Sequence, residues 1–230
     1  MNVAVVMPYY NQKDLLVRAV MGVLGQTYPY WTLFLVDDGS AAENRAARVL
    51  PRNITKRVRI IEKPNGGCSS ARNVALKEIR DSKYFSYVAY CDADDIWDED
   101  HLSSQVSMLR GEADMVYANA RFEFTNGEPA FPYGVSNPEE FPGWEVLLQG
   151  DFIWGSTVVQ KVKCLEVGDF DSSLDAIENW DMWVRVAKAG FSIRKNQKVS
   201  MTYTVKTEGN LSAKGGPVLY EQLRNKHKGG

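Results

Sequence analysis

Three carboxylates crowd into four positions at Asp92-Ala93-Asp94-Asp95, directly after an apolar run, Phe85 to Cys91, that reads as a buried strand. Like charges this close repel one another unless a cation is near, so a divalent metal is the first chemistry they point to. Too few ligands converge for a closed cage. One or two carboxylates plus phosphate oxygens is the usual way a protein holds Mg or Mn, so the cluster predicts a metal that arrives with a phosphorylated ligand. An EF-hand loop also opens Asp-x-Asp, but Ile96, Trp97 and Ser103 stand where a ligand, a glycine and a glutamate are required. A turn at Asp94-Asp95, followed by an amphipathic helix from Glu99 to Leu109 capped by Asp98, needs no metal and stays open beside the metal reading.

Such a cluster needs a scaffold, and the first half of the chain supplies one. Val3 to Met7, Thr32 to Val36, Val58 to Ile61 and Tyr87 to Cys91 read as strands, while Leu15, Leu16, Ala19, Val20, Val23 and Leu24, and then Ala71, Val74, Ala75 and Ile79, recur at helical spacing. Repeated βα units predict an α/β fold, a mostly parallel Rossmann-like sheet flanked by helices. Ligands of such sheets sit outside the carboxyl ends of the strands. The polar segments Pro8 to Asn11, Asp37 to Ser40, Lys63 to Gly67 and Asp92 to Asp95 fall at those ends and define one crevice. After Gly111 the pattern loosens: Met115 to Ala118 and Gly155 to Gln160 read as strands, Arg121 to Gly134 as a hairpin or lid, Asn137 to Gly143 as turns, Asn179 to Ala189 as a helix and Phe191 to Thr204 as one or two strands. No composition shift marks a second domain. The expected division is a first half, residues 1–110, a second half of the same domain, 111–208, and a C-terminal tail or lid, 209–230, with the weakest core signal.

Composition narrows the function classes. The 230 residues carry a net charge of −2 with both signs interspersed, which argues against nucleic acid as the main partner. Cys68, Cys91 and Cys164 lack the spacing of a disulfide framework or a zinc site, so a reducing compartment is expected. The chain opens on a strand-like run instead of a leader, and no run reaches the length of a membrane span, so the expected setting is the cytoplasm. Trp144, Phe152 and Trp154 leave open a peripheral contact with the inner face of a membrane, although core packing is the commoner use of such rings.

The first βα turn, Met7-Pro8-Tyr9-Tyr10-Asn11-Gln12, has no glycine, and no Gly-Lys-Ser/Thr follows any strand, which excludes a dinucleotide fingerprint and a P-loop. Phosphate charge must be neutralised otherwise, and a metal on Asp92 to Asp95 is the candidate. Asp37 and Asp38 can accept hydrogen bonds from a base or a ribose; equally, they form a turn with Gly39 and Ser40. Asn65-Gly66-Gly67 brings backbone close to a ligand, and Arg72 projects a guanidinium toward the same crevice.

Taken in order, Val3-Ala4-Val5-Val6-Met7-Pro8-Tyr9-Tyr10-Asn11, Gln26-Thr27-Tyr28, Leu35-Val36-Asp37-Asp38-Gly39-Ser40, Asn65-Gly66-Gly67 with Ala71-Arg72-Asn73, and Cys91-Asp92-Ala93-Asp94-Asp95-Ile96-Trp97 resemble the motif blocks of family 2 glycosyltransferases of the GT-A fold, over residues 3 to 195. Each block alone is weak; their order and intervals are specific. The resemblance implies an inverting enzyme that moves a sugar from a UDP- or other NDP-sugar to a hydroxyl of a saccharide, lipid-linked or other acceptor in polysaccharide or glycoconjugate synthesis. It implies that Asp38, with Pro8 and Arg72, holds the base, that Asp92 meets the ribose or the metal, and that Asp94 ligates the Mg or Mn on the diphosphate. Tyr10, Asn11, Asp37, Gly67 and Ala93 complete the expected donor contacts.

On the acceptor side, Ala176 to Arg185 resembles the family's Glu-Asp segment before a Trp-rich helix, but Asn179 stands where the Asp is usual, and an amide cannot act as a base. Asp181, the first choice, or Glu178 remains for that role; both also suit a helix start favoured by the dipole. Trp154, Gly155 and Trp180 are the expected acceptor contacts, with core packing as the alternative for each tryptophan. His101 is expected at the surface or in a cap, and His227 is a minor candidate metal ligand. Asn179 also motivates a second reading, a catalytically impaired GT-A domain that binds nucleotide sugar or glycan without transfer. A nucleotidyltransferase is disfavoured, because no basic glycine-rich loop follows the first strand.

Overall fold

Strands and helices alternate through the first half in the order β1 (Asn2–Tyr9), α1 (Lys13–Leu24), β2 (Trp31–Asp37), α2 (Ala46–Val49), β3 (Val58–Glu62), α3 (Gly67–Asp81) and β4 (Phe85–Tyr90). The computed structural model describes residues 1–51, 54, 56–125, 131–133, 143–174, 176–206 and 216–228. Each helix forms where apolar residues recur at helical spacing. α1 buries Leu16, Ala19, Val20 and Val23, and α3 buries Ala71, Ala75, Leu76 and Ile79. β1 and β2 are buried on both faces, as parallel strands covered by helices must be, whereas β3 forms the half-exposed edge.

The second half continues the same sheet: β5 (Ile96–Trp97), α4 (His101–Leu109), β6 (Met115–Phe124), β7 (Phe131–Tyr133), β8 (Val158–Lys161), α5 (Glu178–Lys188), β9 (Ile193–Val205) and α6 (Pro217–Lys228). The strand order is β3-β2-β1-β4-β8-β6-β9-β5, with β7 added on β6. β3, β2, β1 and β4 are mutually parallel, whereas β8 runs antiparallel to both β4 and β6. The unbroken parallel run thus ends at β4, and the far side is mixed: a short 3-10 turn, Gly155–Thr157, leads into the antiparallel β8, and β6 and β9 are again parallel. One sheet spans the expected donor and acceptor halves.

Several expectations change. Of the two readings of Arg121 to Gly134, the hairpin holds: β6 runs on to Phe124 and β7 pairs it antiparallel, while the intervening residues 126–130 lie outside the described set, as do 137–142 of the expected turn region. Phe191 to Thr204 resolves into the single strand β9. His101 is fully buried, stacked on Trp97 with ring centroids 4.3 Å apart and bonded through Nδ1 to Ser200. Burial lowers its pKa to about 3, so it is a neutral core residue and not a cap. Among the described residues, no helix is long and apolar enough to cross a membrane.

The C-terminal segment is not loose where it is described. Leu223 of α6 is fully buried, Arg224 donates to the Leu148 carbonyl, and Tyr220 packs edge-on against Trp180. The anchor is Asp181, whose carboxylate is fully buried and faces Lys226 Nζ at 2.8 Å, His227 Nε2 at 2.9 Å and Arg185 Nε at 2.8 Å. Burial alone would raise its proton affinity, but the bonds from His227 and Lys226 and the charge of Arg185 prevail and hold it below the usual carboxylate range. Breaking a buried pair by deleting one partner is costly, so Asp181→Ala is expected to lose about 3–5 kcal/mol in urea denaturation at pH 7. A depressed carboxyl contributes stability above its unfolded pKa of about 3.9, so the difference between the wild type and this variant should be full near neutrality and shrink as the pH falls below about 4.

Candidate active site

A crevice of about 450 Å³ opens at the carboxyl ends of β1, β2 and β4, where the alternation of elements places polar residues on open loops. Its size suits a small-molecule ligand. The loops are built before any ligand binds. Asp37 accepts from the Ser40 and Ala46 N–H groups at 2.9 and 2.7 Å, closing the turn after β2. Gly39 has φ +77°, and a Cβ there would lie 2.6 Å from the Asn65 nitrogen, so only glycine allows the two loops to meet. Asn11, at φ 54°, takes the Ala41 N–H on Oδ1 and gives its own N–H to Ser40 Oγ, tying β1 to β2. Asn11 and Asp37 therefore shape the crevice from behind and do not line it.

Pro8, Tyr10, Asp38, Gly67, Arg72, Asp92 and Ala93, the other expected donor contacts, do line it. Asp38 is already heavily engaged. It accepts from Lys63 Nζ at 2.5 Å, from the Gly66 and Gly67 N–H groups at 3.0 and 2.8 Å, and from Asn65 Nδ2 at 3.2 Å. A carboxylate has about four lone-pair directions, so a ligand N–H can reach Asp38 only by displacing one of these donors.

Arg72 joins the two halves of the crevice. Its guanidinium is 1% exposed; Nη1 donates to Glu178 Oε1 and Nη2 to Asp92 Oδ1, each at 2.7 Å. A planar fork can hold two carboxylates from different elements at once, which an ammonium on a flexible stem cannot do with the same geometry. Ser156 adds a second tie: its Oγ accepts the Asp92 N–H at 2.9 Å, and its carbonyl accepts Trp97 Nε1.

The acidic cluster lies on the crevice wall after β4. Asp94 has its proton affinity raised by burial and by the neighbouring Asp92 charge, against the lowering effect of Lys206, whose Nζ lies 2.5 Å from Asp94 Oδ2. Asp95 is raised by burial and by Asp94 and Asp92; it accepts the Thr204 N–H at 3.2 Å and is 1% exposed. Mutual repulsion that one lysine only partly offsets, among hard oxygen donors facing a crevice, fits a divalent cation on Asp94 and Asp92. Among the described residues, no group of three or more His, Cys, Asp or Glu forms a ready cage, which agrees with a metal that shares ligands with a phosphate.

The acceptor side departs from expectation. Glu178, Trp154 and Gly155 line the crevice, but Asp181 and Trp180 do not. Trp180 is 2% exposed and gives its indole N–H to the Leu147 carbonyl, so it is a core residue. Asp181 anchors α6, with no access to a reacting hydroxyl. Although three residues from Glu178, it is fully buried and bonded to His227, Lys226 and Arg185. His227 is spent on Asp181, away from the acidic cluster. Trp154 packs against Phe122 and Tyr203, which orients its ring at the crevice wall. Sequence reasoning missed Lys206 and Asp151, both of which line the crevice. Neither belongs to a spaced pattern; β9 and the turn before β8 bring them in from a distance.

The model of the family described as Glycosyl transferase family 2 matches residues 4–153. The chain is similar to the Escherichia coli UDP-Glc:alpha-D-GlcNAc-diphosphoundecaprenol beta-1,3-glucosyltransferase WfgD, 33% identical over 120 residues, covering 51% of this chain and 45% of that one. It spans only 27% to 31% of the length of uncharacterized glycosyltransferases from three Rickettsia species that it matches over most of its own length. Among solved structures, S. aureus TarS 1-349 in complex with UDP-GlcNAc superimposes with a TM-score of 0.75 at 18% identity, over 97% of this chain and 64% of that one. The mannosyltransferase PcManGT from Pyrobaculum calidifontis, in complex with GDP-Man and Mn2+, gives 0.69 at 19% identity, over 90% and 58%.

Arg72→Met would leave Glu178 and Asp92 facing each other unneutralised, at an expected cost of about 3–5 kcal/mol in urea denaturation. Adding Glu178→Gln should recover at least about 1 kcal/mol of that loss, because the two sites share one interaction.

Proposed function

This chain belongs to glycosyl transferase family 2 and folds as a GT-A domain, and on that premise we propose that it transfers a sugar from a nucleoside diphosphate donor, UDP first among them, to an acceptor hydroxyl with inversion. The observation that carries this reading is the crevice itself: acidic residues at the end of β4, held by Arg72 and Lys206, face a wall formed by Glu178, Trp154 and Gly155. Residues 1–110 hold the donor and residues 111–208 present the acceptor. Pro8, Tyr10, Asp38 and Gly67 bound the base and ribose end, while Arg72 fixes Asp92 toward the diphosphate. A Mg or Mn ion on Asp94 and Asp92, when bound, offsets the charge that builds on the departing nucleoside diphosphate. With Asp181 withdrawn into the α6 anchor, Glu178 is the retained candidate on α5 for the acceptor end, and its carboxylate holds Arg72 there. Trp154 offers a ring face to a sugar.

WfgD acts on a diphosphoundecaprenol-linked sugar. A lipid-linked acceptor in polysaccharide synthesis, met at the inner face of a membrane, is the corresponding proposal here. A second reading, binding without transfer, draws on Asn179, which cannot take a proton. Release of UDP from UDP-glucose or UDP-GlcNAc in the presence of Mn separates the two: turnover supports transfer, and tight UDP binding with no turnover across a broad acceptor panel supports binding alone.

UDP with Mn is expected to raise the melting temperature more than UDP without it, since a ligand that binds only the native state stabilises it. Asp94→Ala should abolish the Mn-dependent part of that shift and lower turnover by about 10²–10³-fold, with the circular dichroism spectrum unchanged. An unaltered Mn effect in that variant would remove Asp94 from the metal site.

A further inference from the structure

We propose that Asp151 is the catalytic base that takes the proton from the attacking hydroxyl. The inference rests on the reading of the crevice as a sugar-transfer site and deepens it. The acidic residues on the crevice wall are Asp38, Asp92, Asp94, Asp95, Asp151 and Glu178. Asp38 is taken by Lys63 and the start of α3, Asp92 and one oxygen of Glu178 by Arg72, and Asp94 by Lys206, while Asp95 is 1% exposed and holds the Thr204 N–H on one oxygen. The side chain of Asp151 makes no hydrogen bond or ion pair among the described residues, and it is only partly buried. A carboxylate held by a cation or an N–H group must give up that partner to reach an attacking hydroxyl; one without partners, open to a crevice, need not.

Its surroundings strengthen the case. Glu178 on α5, Cys68 and Arg72 on α3, Asp92 after β4 and Lys206 after β9 share the crevice with Asp151. Burial, reinforced by the negative charge of Glu178, raises its pKa to about 7, near the value at which a general base combines proton affinity with availability at neutral pH. Asn179 sits close by: its side chain packs against Gly155, where a Cβ would lie 3.0 Å from it, and its Oδ1 has no partner. That amide cannot accept the proton, so the neighbouring loop supplies the carboxylate that α5 lacks at this position.

The step balances as follows. The acceptor O–H bond breaks and its proton passes to the Asp151 carboxylate. The freed oxygen pair forms the bond to the anomeric carbon, and the bond from that carbon to the diphosphate oxygen breaks, its electron pair leaving with the nucleoside diphosphate. Protonated Asp151 then returns its proton to water.

The test measures UDP release from UDP-glucose and UDP-GlcNAc with Mn, using an α-GlcNAc-diphospho-polyprenol and simple saccharides as acceptors, on the wild type, Asp151→Asn, and Asp151→Asn combined with Asn179→Asp. Asp151→Asn is expected to lower kcat by about 10²–10⁴-fold. UDP affinity by calorimetry and the melting temperature should remain close to wild type, because no partner of Asp151 is lost. The wild-type kcat/KM should rise with pH through the region of 7, and that limb should vanish in the variant. Restoring a carboxylate at position 179 should recover at least about tenfold in rate, since the base would be regained on the adjacent wall. Asp151→Asn that keeps both its rate and the pH limb overturns the assignment while leaving sugar transfer intact. A wild type that binds UDP but turns over no donor overturns transfer itself, and Asp151 as base with it.

Discussion

Arg72 is the interaction on which the crevice depends. One guanidinium, almost wholly removed from water, lies between Asp92 at the end of β4 and Glu178 at the start of α5, and thereby joins the parallel part of the sheet to the helix that closes its other side. Glu178 would not sit comfortably at that depth alone, since the desolvation of an unpaired buried charge outweighs what local packing returns, whereas Asp92 stays partly open to the crevice. The bridge also decides which charges are free for chemistry: Glu178 and Asp92 each give an oxygen to Arg72 and keep the remainder for the crevice.

The remaining charges are distributed by the same logic. Lys63 and the first N–H groups of α3 settle Asp38, Lys206 sits on Asp94, and the Thr204 backbone N–H takes one oxygen of Asp95. Arg185 and Lys226 neutralise Asp181 and His227 Nε2 bonds it, so two acidic residues three apart on one helix have opposite uses. Glu178 faces a ligand cavity; Asp181 fastens a C-terminal helix. The fastening in turn supports α5, because α6 also packs through Leu223 and Tyr220 against the core around Trp180.

Much of this was legible locally. The strands before the crevice, the turn glycine Gly39, the acidic block at Asp92 to Asp95 and the helix beginning at Glu178 all announce themselves through periodicity or adjacent residue types, and the structure places them within a residue or two of expectation. The failures share a different cause. His101, Trp180 and Asp181 look from the sequence like a cap, a sugar platform and a base, but each is committed to a partner distant in the chain: Ser200, Leu147 and His227. The helix from Pro217 to Lys228 reads as a weak tail because its few apolar residues, Leu219, Tyr220 and Leu223, are joined by an ion cluster on Asp181 that its own sequence does not reveal.

The order of residue types along the chain was enough to determine the α/β alternation, the position of the crevice at the strand ends and the concentration of carboxylates there, because these follow from short-range spacing and the side on which a βα loop must emerge. Which carboxylate is neutralised, which is buried as an anchor and which is left unpartnered was decided only by the tertiary structure. Those outcomes depend on cations and N–H groups that approach from β9, α6 and the turn before β8, and a charge's chemistry is set by what lies within a few ångströms of it, not by its neighbours in sequence.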